Sequence, residues 1–205
     1  MKITKNLTNN NNHFNGVNPC KYITVHDTAN KRKGANAIMH ANYINNGSKV
    51  TWHYTVDDTQ VVQHYINSRQ CWHAGDGKGA GNTQSIGIEM CVNSDGNFRK
   101  TVDKTAELVV HLMLKHNIPI ERVVQHNHWS GKNCPTSLRQ NVYGITWNDF
   151  INKVKSQLNK NANDKKTSNK KLYKVQVGAY SNKENAVKLQ TELRKKGYDT
   201  FIKYE

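Results

Sequence analysis

The sequence has no long apolar run, and it contains little proline. None of its 205 residues lies in a stretch approaching the roughly 20 consecutive apolar residues of a transmembrane helix, which excludes a membrane span. Only three prolines and 13 glycines occur, which excludes collagen-like and proline-rich architectures. The first twelve residues include two lysines but no apolar segment, so we expect no signal peptide and synthesis in the cytoplasm.

Acidic residues are half as frequent as basic ones, so the net charge is +15. The excess is spread along the chain: residues 1–158 carry +8, residues 159–171 carry +4 and residues 172–205 carry +3. Nucleic acid, an anionic membrane and an acidic cell wall are all compatible with such a charge. The sequence has no zinc-finger, helix-turn-helix or aromatic RNA-binding signature, so nucleic acid is not the expected partner.

Cysteine is also scarce, and its spacing is not that of a disulfide framework. The four cysteines, Cys20, Cys71, Cys91 and Cys134, form no Cys-x-x-Cys pair. In a chain of this length we expect the first three to be buried apolar residues. Cys134 is the exception because of the histidines that precede it.

Residues 1–158 alternate between strand-like and helix-like patterns. This alternation predicts an α/β domain with a mixed central β-sheet flanked by helices. The last helix follows a near capping box at Thr146 and Asp149 and closes the domain. The predicted strands are Tyr22–His26, Trp52–Val56, Val61–Tyr65, Ser85–Val92 and Val123–His126, and the predicted helices are Ala35–Asn45, Asp103–His116 and Trp147–Leu158.

Directly after this domain the sequence becomes almost entirely polar. Residues 159–171 have Ala162 as their single apolar side chain, so they are predicted to be a solvated linker. Residues 172–205 form a unit too small for more than a thin core. They predict a βαβ unit: a strand at Leu172–Tyr180, a helix that opens at the capping box Ser181–Glu184 and closes at Gly197, and a strand at Tyr198–Tyr204.

One segment near the end of the first domain carries a metal-binding pattern. The strand Val123–His126 delivers His126, and the glycine-containing loop that follows returns Cys134 eight residues later. Imidazole nitrogen and thiolate sulfur are ligands that zinc prefers. His26 ends another strand, so it offers a third ligand and leaves a fourth position for water. On spacing alone, a buried cysteine with two structural histidines remains an alternative.

Five short motifs occur in a single order along the first domain. They are Val25–Ala29 (VHDTA), Trp52–Asp57 (WHYTVD), Trp72–Gly75 (WHAG), Asn82–Glu89 (NTQSIGIE) and, after His126, Trp129–Pro135 (WSGKNCP). Together they resemble the zinc-dependent N-acetylmuramoyl-L-alanine amidases of the type 2 amidase family, which includes T7-type phage lysozymes and peptidoglycan recognition proteins. The likeness covers roughly residues 18–140 and implies a Zn²⁺ cofactor.

The resemblance implies a role for each matching residue. His26, His126 and Cys134 match the zinc ligands of the family. Glu89 matches its general base, and Lys132 matches a lysine that stabilises the developing oxyanion. A surface ion pair of Glu89 and an ordinary solvated lysine at position 132 are the structural alternatives.

Substrate contacts are expected at four further positions. His73 and Asn82 resemble residues that line the family's cleft, and Trp72 and Trp52 are candidates for contact with sugar or peptide. A structural histidine remains an alternative at position 73. Trp52 stands where some relatives have a catalytic tyrosine, and Tyr54, two residues later on a predicted strand, would share its face.

The activity implied by the resemblance is peptidoglycan hydrolysis. Zinc-activated water would cleave the amide bond between the lactyl group of N-acetylmuramic acid and the L-alanine of the stem peptide. The tail resembles the first half of a SPOR domain, which implies binding to peptidoglycan glycan strands. A non-catalytic peptidoglycan-binding module is the alternative. The resemblance argues against it because non-catalytic relatives commonly lack the cysteine ligand, whereas this chain retains Cys134 together with Glu89 and Lys132.

Such an enzyme without a signal peptide would reach the cell wall after holin-type release or cell lysis. A phage endolysin and an autolysin both fit this expectation.

Overall fold

The computed structural model describes residues 1–167, 175–198 and 200–203, and the side chains of residues 162–167 are outside this description. The chain divides into two compact units, Met1–Asp164 and Lys165–Glu205. The first unit is the mixed α/β domain that the alternating patterns predicted. No helix in the described part of the chain combines the length and the apolar character that crossing a bilayer requires.

Most predicted elements occur, with shifted ends. Helix α3 begins at Phe98, earlier than predicted, because the Asn97 side chain accepts a hydrogen bond from Lys100 N (3.1 Å) and caps the helix there. The strands are β1 (Thr4–Lys5), β2 (Phe14–Val17), β3 (Tyr22–Asp27), β4 (Tyr54–Val56), β5 (Val61–Gln63), β6 (Arg69–Gln70), β7 (Ser85–Met90) and β8 (Val123–Gln125). The helices are α1 (Ala37–Asn45), α2 (Ala80–Gln84), α3 (Phe98–His116), α4 (Asn127–Ser130), α5 (Thr136–Arg139), α6 (Trp147–Thr167) and α7 (Lys183–Lys195).

Six strands form the central sheet in the order β1-β5-β4-β7-β3-β8. Strands β4, β7, β3 and β8 are parallel, β5 is antiparallel to β4 in the predicted hairpin, and β1 is parallel to β5. Strands β2 and β6 form a separate antiparallel pair. The carboxyl ends of four parallel strands therefore meet at one edge of the sheet, which is where α/β proteins commonly place their sites.

The two faces of the sheet have different surroundings. Ile86, Ile88 and Met90 of β7 are fully buried in the main core together with apolar residues of α3. Because side chains alternate along a strand, Ser85 and Glu89 lie on the opposite face. On that second face, Ser85 Oγ donates to the Gly81 carbonyl oxygen of α2 (2.6 Å).

Helix α6 begins as predicted and ends later. Asp149 N donates to Thr146 Oγ1 (3.2 Å) and Thr146 N donates to Asp149 Oδ2 (2.8 Å), which is the predicted capping box. Phe150 and Val154 are fully buried in the main core. The apolar face of α6 thus covers the same side of the sheet as α3.

The predicted linker, residues 159–171, is helical as far as Thr167. Lysine and alanine favour helix, and each added residue extends an existing hydrogen-bonded ladder, so the helix continues without an apolar face to bury. Residues 168–171 lie outside the described residues. The predicted domain bounds therefore stay a prediction.

The tail contains the predicted helix as α7. Its N-cap is Asn182 rather than Ser181, since the Asn182 side chain accepts from Glu184 N (2.8 Å). Gly197 adopts φ +86° just after the helix, as a glycine at a helix end does.

The predicted strands on either side of α7 are not formed in the described part of the tail, residues 175–180 and 200–203. Val175 and Val177 are 87% and 64% exposed. Two strands alone are marginal in water, so this short unit lacks enough pairing to order them. The other residues of those strands, 172–174, 199 and 204, lie outside the description.

Candidate metal centre

Three neighbouring strands deliver polar side chains to one edge of the sheet. In the register of β3 and β7, His26 lies opposite Glu89. His126 directly follows β8, and its backbone N–H donates to the Val25 carbonyl (3.2 Å). The parallel arrangement therefore brings together residues that are about 100 positions apart in the sequence.

A tight loop returns Cys134 to the same edge. The Asn127 side chain donates to the carbonyls of Gly131 (2.8 Å) and Lys132 (3.0 Å), and Asn127 N donates to the Cys134 carbonyl (3.0 Å). Gly131 has φ +72°, a conformation that glycine adopts without strain. These bonds hold Cys134 beside His126.

His26, His126 and Cys134 form a candidate metal centre. His26 Nδ1 lies 3.0 Å from His126 Nδ1 and 3.8 Å from Cys134 Sγ, and one ligand atom from each residue lies within 4.8 Å of the others. Tetrahedral coordination with metal–N of about 2.0 Å and metal–S of about 2.3 Å separates ligand atoms by about 3.3 to 3.6 Å. The predicted ligand triad is thus assembled with suitable spacing and chemistry.

Burial keeps this cluster uncharged. It holds the pKa of His26 well below its usual value, with His73 and His126 as further causes, and it lowers the pKa of His126. Burial, with the Glu89 carboxylate as a second cause, raises the pKa of the Cys134 thiol to about 12. Neutral imidazoles keep their lone pairs, whereas a buried thiolate requires a nearby cation. The donor set fits a divalent metal.

The Glu89 carboxyl group faces the cluster. Its Oε1 lies 3.9 Å from His26 Nδ1, and its buried Oε2 has no hydrogen-bond partner within the described ranges. Burial raises the pKa of Glu89 to about 8, and the charge of Asp27 is the second cause of this rise. A carboxyl group that titrates near neutral pH is suited to accept and return a proton.

Lys132 is exposed on the loop before Cys134. Its positive charge lowers the pKa of Glu89 and also that of Cys134. At Cys134 this effect is smaller than the opposite effect of burial. Lys132 therefore acts electrostatically on the same small space as the proposed general base.

Asp27 also lies at the site, although it is not among the predicted site residues. It ends β3 directly after His26, is 7% exposed, and accepts a hydrogen bond from Ser137 N (2.7 Å), which fastens α5 beside the cluster. Its charge also raises the pKa of Glu89. The sequence signal that could have identified Asp27 is its place at the end of a strand, directly after the predicted ligand His26.

His73 and Asn82 are buried behind the cluster. His73 is 8% exposed, and its Nδ1 lies 3.0 Å from His26 Nε2. Asn82 is 1% exposed, its Oδ1 accepts from His73 N and Ala74 N (2.7 Å each), and its Nδ2 donates to the Gly77 carbonyl. The polar atoms of Asn82 thus brace the loop, and a role of Asn82 in lining a cleft stays a prediction.

Trp52 and Tyr54 pack in two different apolar clusters. Trp52 is 5% exposed, and its Nε1 donates to Thr55 Oγ1 (2.7 Å). The expected substrate contact at Trp52 stays a prediction. Tyr54 lies in the main core, where its hydroxyl donates to Asn67 Oδ1 (2.6 Å). The two do not share a face because Trp52 precedes β4, so strand alternation does not extend back to it.

Trp72 is half-buried and stacks on Phe14, with ring centroids 3.8 Å apart. This stacking joins the first residue of β2 to the segment after β6. A substrate contact at Trp72 stays a prediction. The four cysteines are all buried and free, as expected for a chain without a disulfide framework.

Buried histidines away from the centre predict loss of stability in acid. Burial lowers the pKa of His53 to about 4 and that of His64 to about 3, below the ordinary 6.5. The unfolded chain therefore binds these protons first, so stability present above pH 6.5 is lost as the pH falls. Each histidine should cost roughly 2 kcal/mol of unfolding free energy between pH 7 and pH 5.

Urea unfolding in the presence of a metal chelator measures this dependence. His64→Gln keeps a neutral amide near Thr55 Oγ1, which lies 2.8 Å from His64 Nε2, and should reduce the pH-dependent loss by about one histidine's share, roughly 2 kcal/mol. An unchanged pH dependence in this variant would contradict the assignment.

Two known protein families match different parts of the chain. The N-acetylmuramoyl-L-alanine amidase family matches residues 16–137, which is more than half of the chain and includes His26, Glu89, His126 and Cys134. The SPOR domain family matches residues 148–204, starting within α6.

Curated relatives and solved structures carry the same name. N-acetylmuramoyl-L-alanine amidase CwlH from Bacillus subtilis (strain 168) is 48% identical over 137 residues, 66% of this chain and 53% of CwlH. XlyA, from the same organism, is 49% identical over 130 residues, 63% of this chain and 42% of XlyA. The chain thus spans about half the length of these relatives. The solved catalytic domain of XlyA matches with a TM-score of 0.70 at 42% identity, over 75% of this chain and 99% of that domain. The chain therefore belongs to the N-acetylmuramoyl-L-alanine amidase family.

Proposed function

We propose that the protein is a zinc-dependent N-acetylmuramoyl-L-alanine amidase. It hydrolyses the amide bond between the lactyl group of N-acetylmuramic acid and the L-alanine of the stem peptide. The observation that carries this proposal is the assembly at one sheet edge of three buried donors, His26, His126 and Cys134, with Glu89 3.9 Å from one of them. Two nitrogens and one sulfur favour Zn²⁺ over the harder divalent cations.

Zinc bound by these three residues would supply a Lewis acid that polarises the scissile carbonyl and lowers the pKa of water. Glu89 accepts the proton of the attacking water and delivers it to the L-alanine nitrogen, because an amide leaves poorly as an anion. Lys132 places its positive charge near the oxyanion that develops on the carbonyl. Burial and, second to it, the charge of Asp27 raise the pKa of Glu89, which favours the second of these transfers.

The rest of the chain is assigned to wall attachment. Residues 148–204 match the SPOR domain family, and the net charge of +15 suits an anionic wall. Peptidoglycan is therefore the proposed partner of both parts. As an endolysin or an autolysin, the protein would reach the wall after holin-type release or cell lysis.

Digestion of purified cell walls tests the proposal. The full chain should release new N-terminal L-alanine without new reducing ends. A zinc chelator should stop the release, and added Zn²⁺ should restore it. New reducing sugars would indicate a glycosidase instead, and wall binding without any release would favour the non-catalytic recognition module.

A further inference from the structure

A buried line of hydrogen-bonding side chains leads away from His26. His26 Nε2 lies 3.0 Å from His73 Nδ1, His73 Nε2 lies 3.5 Å from Ser85 Oγ, and Ser85 Oγ lies 2.6 Å from the Gly81 carbonyl oxygen. His26, His73 and Ser85 are 1%, 8% and 0% exposed. The line uses Nε2 of His26, whereas Nδ1 faces His126 and Cys134.

The end of this line determines where each proton lies. A carbonyl oxygen only accepts, so the Ser85 hydroxyl donates its single proton to Gly81. Ser85 Oγ is then the acceptor for His73 Nε2–H. His73 Nδ1 consequently carries no proton and accepts from His26 Nε2–H. This leaves the lone pair of His26 on Nδ1, the atom that lies in the candidate metal centre.

We propose that His73 is a positioning residue, which holds His26 in the tautomer whose Nδ1 binds the metal. The inference rests on the zinc site proposed above and replaces the substrate contact that the resemblance implied for His73. A neutral imidazole exchanges between two tautomers, and only one of them binds a metal through Nδ1. The bond to His73 selects that tautomer and the ring orientation before the metal arrives.

Strand β7 has a glycine, Gly87, at the position where the His73 ring packs against it. A Cβ on Gly87 would lie 2.9 Å from Cγ, Cδ2 and Nε2 of His73, closer than real Cβ contacts. Gly87 is in the interior of β7, where a glycine weakens a strand unless something approaches the backbone closely. The rings of His73 and His26 meet at 84°, so the nitrogen edge of one reaches that of the other. The strand therefore accommodates His73 in contact with His26.

The tautomer of His26 is measurable without activity. Long-range proton–nitrogen NMR of the full chain with ¹⁵N-labelled histidine, in a chelator at neutral pH, should find the His26 proton on Nε2. In His73→Leu, which removes the acceptor, both tautomers of His26 should appear. A wild-type His26 protonated on Nδ1 would overturn the proposal even if no variant folds.

Zinc affinity, measured by competition with a coloured chelator, gives the second test. His73→Leu should bind Zn²⁺ about 10- to 100-fold more weakly. His73→Asn, whose Oδ1 replaces the Nδ1 acceptor, should recover most of the loss. His40→Leu removes a histidine of similar burial that does not contact the centre, so it should leave zinc affinity unchanged.

The outcomes separate this inference from the proposed function. Zinc affinity of His73→Leu within twofold of wild type would overturn the positioning role while leaving the amidase proposal intact. A wild-type chain that binds no zinc would contradict the proposed function, and the NMR measurement would still decide the tautomer of His26.

Discussion

Serine in place of Cys134 is expected to weaken both zinc binding and wall hydrolysis by roughly 100-fold or more. Cys134 supplies the only sulfur of the described donor set, 3.8 Å from His26 Nδ1. A serine hydroxyl keeps its proton near neutral pH and is a poorer zinc ligand than a thiolate. Four-ligand zinc sites contribute about 10–16 kcal/mol, so one ligand is worth roughly 3 kcal/mol. Chelator competition and the rate of L-alanine release measure the two effects.

Cys20→Ser is the matched control. It makes the same sulfur-to-oxygen exchange at a site of nearly equal burial, 6% exposed against 5% for Cys134. The Cys20 thiol donates to the Asn67 carbonyl (3.3 Å), a bond that a serine hydroxyl can also make. This variant should keep its activity. Equal losses in both variants would contradict a specific role for Cys134.

Glutamine in place of Glu89 is expected to reduce kcat by about 10²- to 10⁴-fold, the range of general acid–base catalysis, while zinc affinity stays near that of wild type. An amide has nearly the same shape as the carboxylate but cannot take a proton from water. Glu89 is not part of the donor triad, so its neutralisation leaves the metal ligands in place. The rate of cell-wall digestion by the purified variant measures kcat, and competition with a chelator measures zinc affinity.

Glu107→Gln removes the same charge from an exposed position on α3 and should leave kcat unchanged. If Glu89→Gln retained full activity, Glu89 would not be the general base. If it lost zinc together with activity, the carboxylate would be holding the metal rather than moving a proton.

The three residues of the candidate metal centre were predictable because local sequence carries much of the information about where they lie. His26 and His126 stand at the ends of apolar strands, and the Gly131 loop returns Cys134 within a short distance along the chain. Parallel strand ends must meet at one edge of a sheet, so the triad followed from the pattern together with the resemblance. The capping residues of α6, Thr146 and Asp149, were likewise predictable from residue type alone.

Other elements were not predictable from local pattern. Strand β1 has two residues, and it exists because Thr4 and Lys5 pair with Val62 and Gln63, far away in the chain. Helix α6 continued past Leu158 because helix propagation needs no apolar face once the helix has formed. In residues 175–180 and 200–203 the predicted tail strands are not formed, because two strands alone are marginal in water.

The amino-acid sequence alone determined the alternating α/β pattern and the family, and it predicted the three residues that the fold brings together in the candidate metal centre. Only the tertiary structure decided how deep each neighbouring side chain lies. Three polar or aromatic residues in the family-like motifs were expected to contact substrate, yet all three are buried: Trp52, His73 and Asn82. The depth of a side chain depends on elements that pack over it from elsewhere in the chain, and a motif does not contain those contacts.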